Sequence, residues 1–303
     1  MAYSAGSTIL DDDYNGFAGD VNNVWGVGSG DSGYGQTNTI ATVSAGTTIT
    51  ATQWATLLTR ISSAASHQGT SITSITNPVA GNTISAYAAL TTNITAIQNG
   101  RSNASASGTD STATTTTTSA WSSSATTSKT ITFASANQLR YFFNAGGMIR
   151  MSWSRSGGTS SDQNTSWTNL LGAAGTIVHT GAAASKSIAA TSYTGTTKIG
   201  GSGSPTTLAT STGAYALTGS AVTLFKQLGA TYLYTTNFIN VNASISGNTI
   251  TYAVTLDDND APSAPDSVDG TLTMTTTIRY PSTGTLSDTW GTVTQNSASW
   301  SLA

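Results

Sequence analysis

The residues of this chain that could do chemistry are a serine among glycines, Ser32, and two histidines, His67 and His179. The stretch VWGVGSGDSGYGQT, from Val24 to Thr37, carries G-x-G-x-x-G across Gly28, Gly30 and Gly33, and inside it the tetrapeptide Gly30-Asp31-Ser32-Gly33. The first pattern can cradle a pyrophosphate, because free backbone N–H groups and a helix N-terminus hold the anion. The second resembles a nucleophile loop, in which a histidine takes the serine proton and a buried carboxylate orients the histidine. Neither fits its surroundings.

A dinucleotide loop follows a buried strand and opens a helix. Here Tyr14, Phe17, Val21 and Val24 recur at helical spacing before the glycines, and Gln36 to Thr48 has no helical apolar face after them. Ala51 to Gln68 holds no acid for a ribose hydroxyl. Both histidines follow Ser32, the reverse of the protease order that the tetrapeptide suggests, and Tyr34 stands where a further glycine belongs. His67 ends a helix in a polar setting and reads as a solvated surface histidine. The stretch reads as a helix stop and a tight, ordered turn, with Tyr34 packed across it. No catalytic, cofactor-binding or metal-binding residue is expected, no cofactor is expected, and the protein is not expected to be an enzyme.

Two further constellations need weighing. The stretch LDDNDAPSAPDSVDG holds Asp257, Asp258, Asp260, Asp266 and Asp269. Such oxygen-rich loops can hold Ca²⁺, but Ala261 and Pro262 stand where an EF-hand would begin its glycine turn, so a solvated connection between strands is preferred. RYFFNAGGMIRMSWSRSGG places Tyr141, Phe142, Phe143 and Trp153 among Arg140, Arg150 and Arg155. These aromatics could stack on sugars, yet sandwich core is the better reading, with Asn144 to Gly147 turning the chain between strands. Asp11 to Asp13 sit at a helix start, where negative charge complements the dipole, and are poorly placed for glycoside chemistry.

Composition narrows the function classes. The 303 residues carry a net charge of −3 with only 8% charged side chains, so no basic footprint for a phosphate backbone exists and nucleic acid is not an expected partner. All thirteen acids are aspartate, which removes glutamate, the common tuned general acid or base. Cysteine is absent, excluding disulfides and thiolate metal sites. The opening MAYSAGSTILDDDYNG has no basic n-region, and nowhere do eighteen apolar residues run together, so neither a classical signal nor membrane insertion is expected.

The elements that must position these residues follow from periodicity. Three amphipathic helices are expected: one through Tyr14, Phe17, Val21 and Val24; one after Thr50 or Thr52 through Trp54, Leu57, Leu58 and Ile61; one after Thr83 through Tyr87, Leu90, Ile94 and Ile97. Their stripes can bury against each other or against other copies. Ser102 to Ser128 is nearly all Ser, Thr and Ala and reads as a linker or an exposed polar strand. Beyond it the period becomes two, as in Ile149, Met151 and Trp153, or Ile239, Val241, Ala243 and Ile245. Gly247-Asn248 is expected to join strands 238–246 and 249–256 as a hairpin. The fold class is α+β: a short N-terminal helical segment (1–101, attachment or oligomer contacts), a Ser/Thr-rich linker (102–128) and an antiparallel β-sandwich (129–303).

Two blocks carry a family resemblance. YNGFAGDVNNVWGVGSGDSGYGQT followed by ITATQWATLLTRI, and the later RYFFNAGGMIRMSWSRSGG, resemble the tail-fibre-like virion structural proteins of large tailed bacteriophages, especially those infecting cyanobacteria. The likeness is close in those blocks and loose over most of the rest. It implies an exposed, repeated particle component located in the virion, with partners that are copies of itself (a homotrimer as first expectation), other virion proteins and a host surface glycan. In such proteins these residues serve architecture. The alternative from another class is a carbohydrate-binding adhesin module, which should show exposed aromatics beside acids or amides.

Overall fold

The structure, a computed structural model, describes residues 10–79, 86–231, 233–259 and 267–303. Helices α1 (Asp11–Trp25), α2 (Ala51–Gln68) and α3 (Tyr87–Asn99) form where the apolar stripes call for them. Asp11, Asp12 and Asp13 fill the first turn of α1. Thr50 and Gln53 close a capping box at the start of α2, satisfying two otherwise orphaned donors. Thr83, the expected start signal of α3, lies outside the described residues. The three helices pack on one another. Phe17 sits 5.4 Å from the ring of Tyr87 and 6.5 Å from that of Trp54, and Val21, Leu57, Leu90 and Ile97 are fully buried. The stripes are closed within the chain instead of being offered to another copy.

The segment 102–128 is not a linker. It supplies β1 (Ser107–Thr117) and the start of β2 (Ser124–Thr132). Threonine is β-branched and suits a pleated surface whose outer face is wet, so a polar run of this kind makes an edge strand without an apolar pattern to announce it. β1 is an edge of a five-stranded sheet whose other members, in spatial order, are β12 (Thr271–Pro281), β3 (Met148–Ser156), β4 (Thr176–His179) and β7 (Thr196–Ile199). β2 lies inside a seven-stranded sheet. It is flanked on one side by the short β13 (Thr294–Gln295) and β14 (Ser301–Leu302), and on the other by β11 (Thr249–Asp257), β10 (Phe238–Ser246), β9 (Val222–Leu228) and β8 (Thr207–Leu208). A separate hairpin joins β5 (Lys186–Ile188) to β6 (Thr191–Tyr193). All ladders between these strands are antiparallel, and the sheets do not close into a barrel.

The expected hairpin has the expected register: Ile239 faces Leu256, Val241 faces Val254 and Ala243 faces Tyr252, all buried. Ile245 and Ile250 close it at the turn, with Ile245 only partly buried. Asn240 and Asn242, on the other face, are half-buried.

Two helices interrupt the strands where only β structure was expected. α4 (Ala136–Asn144) begins at Ser135, whose hydroxyl accepts from the Gln138 N–H, and α5 (Asp162–Ala174) begins at Ser161, which caps Asn164 in the same way. Arg140 to Asn144 are therefore helix, and the Asn144 to Gly147 bend joins a helix to β3. The aromatics there are core, as expected: Phe142 and Phe143 meet edge to face at 5.1 Å, and Phe142 packs on Phe133 at 5.2 Å. A single buried apolar cluster includes Val21 of α1, Phe142 of α4 and Val241 of β10, so helical and sheet regions share one core.

Candidate functional site: the glycine loop between helices and sheets

After Trp25 the chain reverses on itself. The N–H groups of Tyr34, Gly35 and Gln36 donate back to the carbonyls of Val24, Gly26 and Trp25 at 3.0, 2.7 and 3.0 Å. That use of the donors, with the Ser32 N–H given to the Ser29 carbonyl at 3.0 Å, argues against a nucleotide cradle. A phosphate cradle presents free N–H groups, whereas these are spent inside the loop, which turns carbonyls outward. Positively charged and amide donors from elsewhere take those carbonyls. Arg140 of α4 donates to the carbonyls of Ser32 at 2.8 Å and Val27 at 2.7 Å. Asn144 donates to Gly33 at 3.0 Å and is itself oriented by the Tyr215 hydroxyl, which donates to its Oδ1 at 2.7 Å. Thr289 donates to Tyr34 at 2.6 Å, and Gln36 exchanges hydrogen bonds with the backbone of Ser287 at 2.9 and 3.0 Å.

The helical side grips the same loop. Asp31 pairs with Arg101 at 2.9 Å, and the buried Tyr34 hydroxyl donates to the Arg101 carbonyl at 3.0 Å while accepting from Gln68 at 2.9 Å. Burial raises the Tyr34 hydroxyl well above its ordinary pKa, so it stays a neutral donor. Gly35 has φ 72° and a Cβ there would run into the ring of Tyr141. Gly33 has φ 98° and a Cβ would strike the Val27 carbonyl. Both positions therefore exclude side chains twice over, by backbone conformation and by space.

Ser32 is buried, and its hydroxyl donates to the Asn23 carbonyl at 2.7 Å. Neither histidine is hydrogen-bonded to it. His67 is 2% exposed, which corrects the solvated surface reading: the end of α2 is folded beneath the loop, and the ring meets Tyr34 edge to face at 5.0 Å. Its pKa falls to about 4, chiefly by burial, with the Ala145 carbonyl partly offsetting the shift. His179 is fully buried in the sheets, its Nδ1 2.7 Å from the Tyr252 hydroxyl, and burial followed by the nearby Lys186 charge lowers it to about 3. Both are neutral core histidines. Neither histidine is placed to activate Ser32.

The acidic stretch also turns out to hold structure together where it is described. Asp258 is buried and accepts from Gln163, Trp167 and Asn237, which ties α5 to the end of β11. Asp269 accepts from the Thr159 N–H at 3.0 Å and from Arg155 at 3.2 Å, and the first of these contributes most to lowering its pKa. Asp260 and Asp266 lie outside the described residues. Among the described residues no three His, Cys, Asp or Glu side chains gather as a metal site, and no helix is long and apolar enough to cross a membrane. Sequence reasoning missed Arg140 and Asn144 as partners of the glycine loop. No local signal links positions separated by 108 and 111 residues. Comparison with protein-family models, with curated proteins and with solved structures finds no match.

Proposed function

We propose that this chain is a non-enzymatic virion structural protein, a tail-fibre-like, whisker or baseplate or neck appendage component of a tailed phage, with its two larger sheets packed as a β-sandwich. The observation that carries the proposal is the glycine loop. The stretch with enzyme-like patterns spends its N–H donors, its serine and its acid within the loop and on the helical side, and gives its carbonyls to Arg140 and Asn144 of the sheet-bearing part. The resemblance in VWGVGSGDSGYGQT and RYFFNAGGMIR supports the same reading, because these two blocks are the partners in that junction. The proposal includes association with copies of itself, a trimer first, and with other virion proteins. The apolar stripes of residues 1–101 are used inside the chain, so such contacts would draw on outer, polar surfaces.

The adhesin alternative is less well supported. An aromatic stacking platform needs exposed rings, and no aromatic among the described residues is exposed. The test is to raise antibodies to the chain and image purified particles of a phage that encodes it. Labelling at regular, repeated positions on the particle is expected; the protein confined to the non-particle fraction of the lysate would reject the proposal.

A further inference from the structure

On the face of the five-stranded sheet that points away from the core, β1, β12 and β3 set hydroxyl side chains side by side. Thr114 stands opposite Thr275, which stands opposite Ser152. Two residues along, Thr116, Thr273 and Ser154 make the next rank, and on the other side Thr112 and Thr277 begin a third. The alternate residues of β12, Leu272, Met274 and Ile278, are buried, which is what turns its threonines outward. Pairing runs without a register shift from Asp110 to Thr117 and from Thr271 to Arg279, so the ranks are unbroken. They repeat about every 4.8 Å across the strands and about every 6.8 Å along them.

The face is open to solvent. Thr112, Thr114, Thr116 and Ser154 are exposed, and Thr273, Thr275 and Thr277 are half-buried between their neighbours. Charge enters only at one end, where Arg279 forks onto Asp110 at 2.7 Å and Arg150 completes the rank of Thr112 and Thr277. The Thr112 and Thr277 hydroxyls bond each other at 3.1 Å, while those of Thr114 and Thr116 have no partner among the described residues. A threonine side chain is stiff at χ1, so each hydroxyl and its methyl keep a fixed direction before anything binds.

Such a surface suits few partners. Two of its three ranks hold no cation for a phosphate or an acidic chain. No aromatic among the described residues is exposed to stack on a sugar. Serine and threonine are poor anchors for a protein partner, whose affinity rests on buried aromatic and arginine side chains. A grid of small hydroxyls that repeats in two directions matches a partner that does the same. We infer that this face binds ice, its hydroxyls standing in for water molecules of a crystal plane whose oxygens repeat on the same scale, with the threonine methyls seated between them. The inference is independent of the virion proposal: particle labelling can fail while the face binds ice, and the reverse.

The test uses the full chain in a nanolitre osmometer. The parent is expected to hold ice growth below the melting point and to facet the crystals. Thr114→Lys and Thr275→Lys each place a long cation within the grid, pointing away from the core, so circular dichroism and the thermal melt should stay those of the parent while the growth gap is lost. Thr114 lies exposed on the edge strand, so its variant decides the matter if the more crowded Thr275→Lys does not fold. Thr251→Lys, on the outer face of the seven-stranded sheet between Ser244 and Thr130, should keep the gap. A parent without a gap, a folded lysine variant of the grid that retains it, or a Thr251→Lys protein that loses it as fully would overturn the inference. So would a parent that leaves ice growth unchanged but dimerises in a way that Thr114→Lys abolishes, since the face would then serve a second copy of the chain.

Discussion

Arg140 on α4 holds the carbonyl of Ser32 at 2.8 Å across 108 residues of sequence, and with its other terminal nitrogen it holds Val27 at 2.7 Å. One guanidinium therefore fixes both limbs of the glycine loop to the sheet-bearing part of the chain. A forked, permanently charged donor suits two carbonyls that converge from one turn. Arg140→Ala should cost about 2 kcal/mol, since hydrogen bonds from charged donors are the stronger class. Arg140→Lys should recover only part of it. Urea unfolding of the two variants beside the parent measures this.

The loop should distinguish its serine from its glycines. Ser32→Ala removes one neutral hydrogen bond to the Asn23 carbonyl and should cost about 1 kcal/mol with no loss of any activity. Gly33→Val or Gly35→Val places a β-branched side chain at positive φ against the Val27 carbonyl or the Tyr141 ring, and should cost about 3 kcal/mol or more. Thermal melts order these variants. A Ser32→Ala protein that loses a hydrolytic activity of the parent would restore the nucleophile reading.

Stability should fall on acidification in a window set by the buried histidines. Each is held neutral in the folded chain, His67 at about 4 and His179 at about 3, against an ordinary 6.5. The unfolded chain binds the extra protons first, so the contribution is complete above pH 6.5 and is lost progressively toward pH 4 and, for His179, toward pH 3. His67 alone accounts for about 3 kcal/mol across its range. Urea midpoints at pH 7.0, 5.5 and 4.5 should decline, less steeply in His67→Gln. A flat profile would show that these rings are not held neutral.

In the β10–β11 hairpin, Val241 is fully buried opposite Val254, while the Asn242 side chain accepts from the Thr223 hydroxyl at 2.8 Å on the other face. Val241→Asp should unfold the chain or cost about 4 kcal/mol or more, by burying an unpaired carboxylate. Asn242→Asp keeps the acceptor and should change stability by less than about 0.5 kcal/mol. Circular dichroism and urea titration separate the two.

Much of this fold is legible in the sequence where one period dominates. The stripe Tyr14, Phe17, Val21, Val24 and the alternation Ile239, Val241, Ala243 each fix a face without help from distant residues. α5 could have been found, because Trp167, Leu170, Leu171 and Ala174 follow a Ser161 cap at helical spacing. α4 was harder: RYFFN is as good a strand as a helix, and only the Ser135 cap argues for the latter. The burial of His67 was not legible at all. It depends on Tyr34 and Ala145 arriving from either side of it in sequence, which is tertiary information. The candidate site divides in the same way. Its internal turn is written in the glycines, but its clamp residues, Arg140 and Asn144, carry no local mark.

The most direct test of the central claim, that this loop is the joint between helices and sheets and not a reactive site, is calorimetry of the full chain beside the Arg140→Ala, Asn144→Ala double variant. The shared core and the clamp predict one cooperative transition for the parent, with calorimetric and van't Hoff enthalpies equal. The double variant should melt earlier, with the helical region separating as its own low-temperature transition. A parent that already melts in two independent steps, or a double variant indistinguishable from it, would contradict the account.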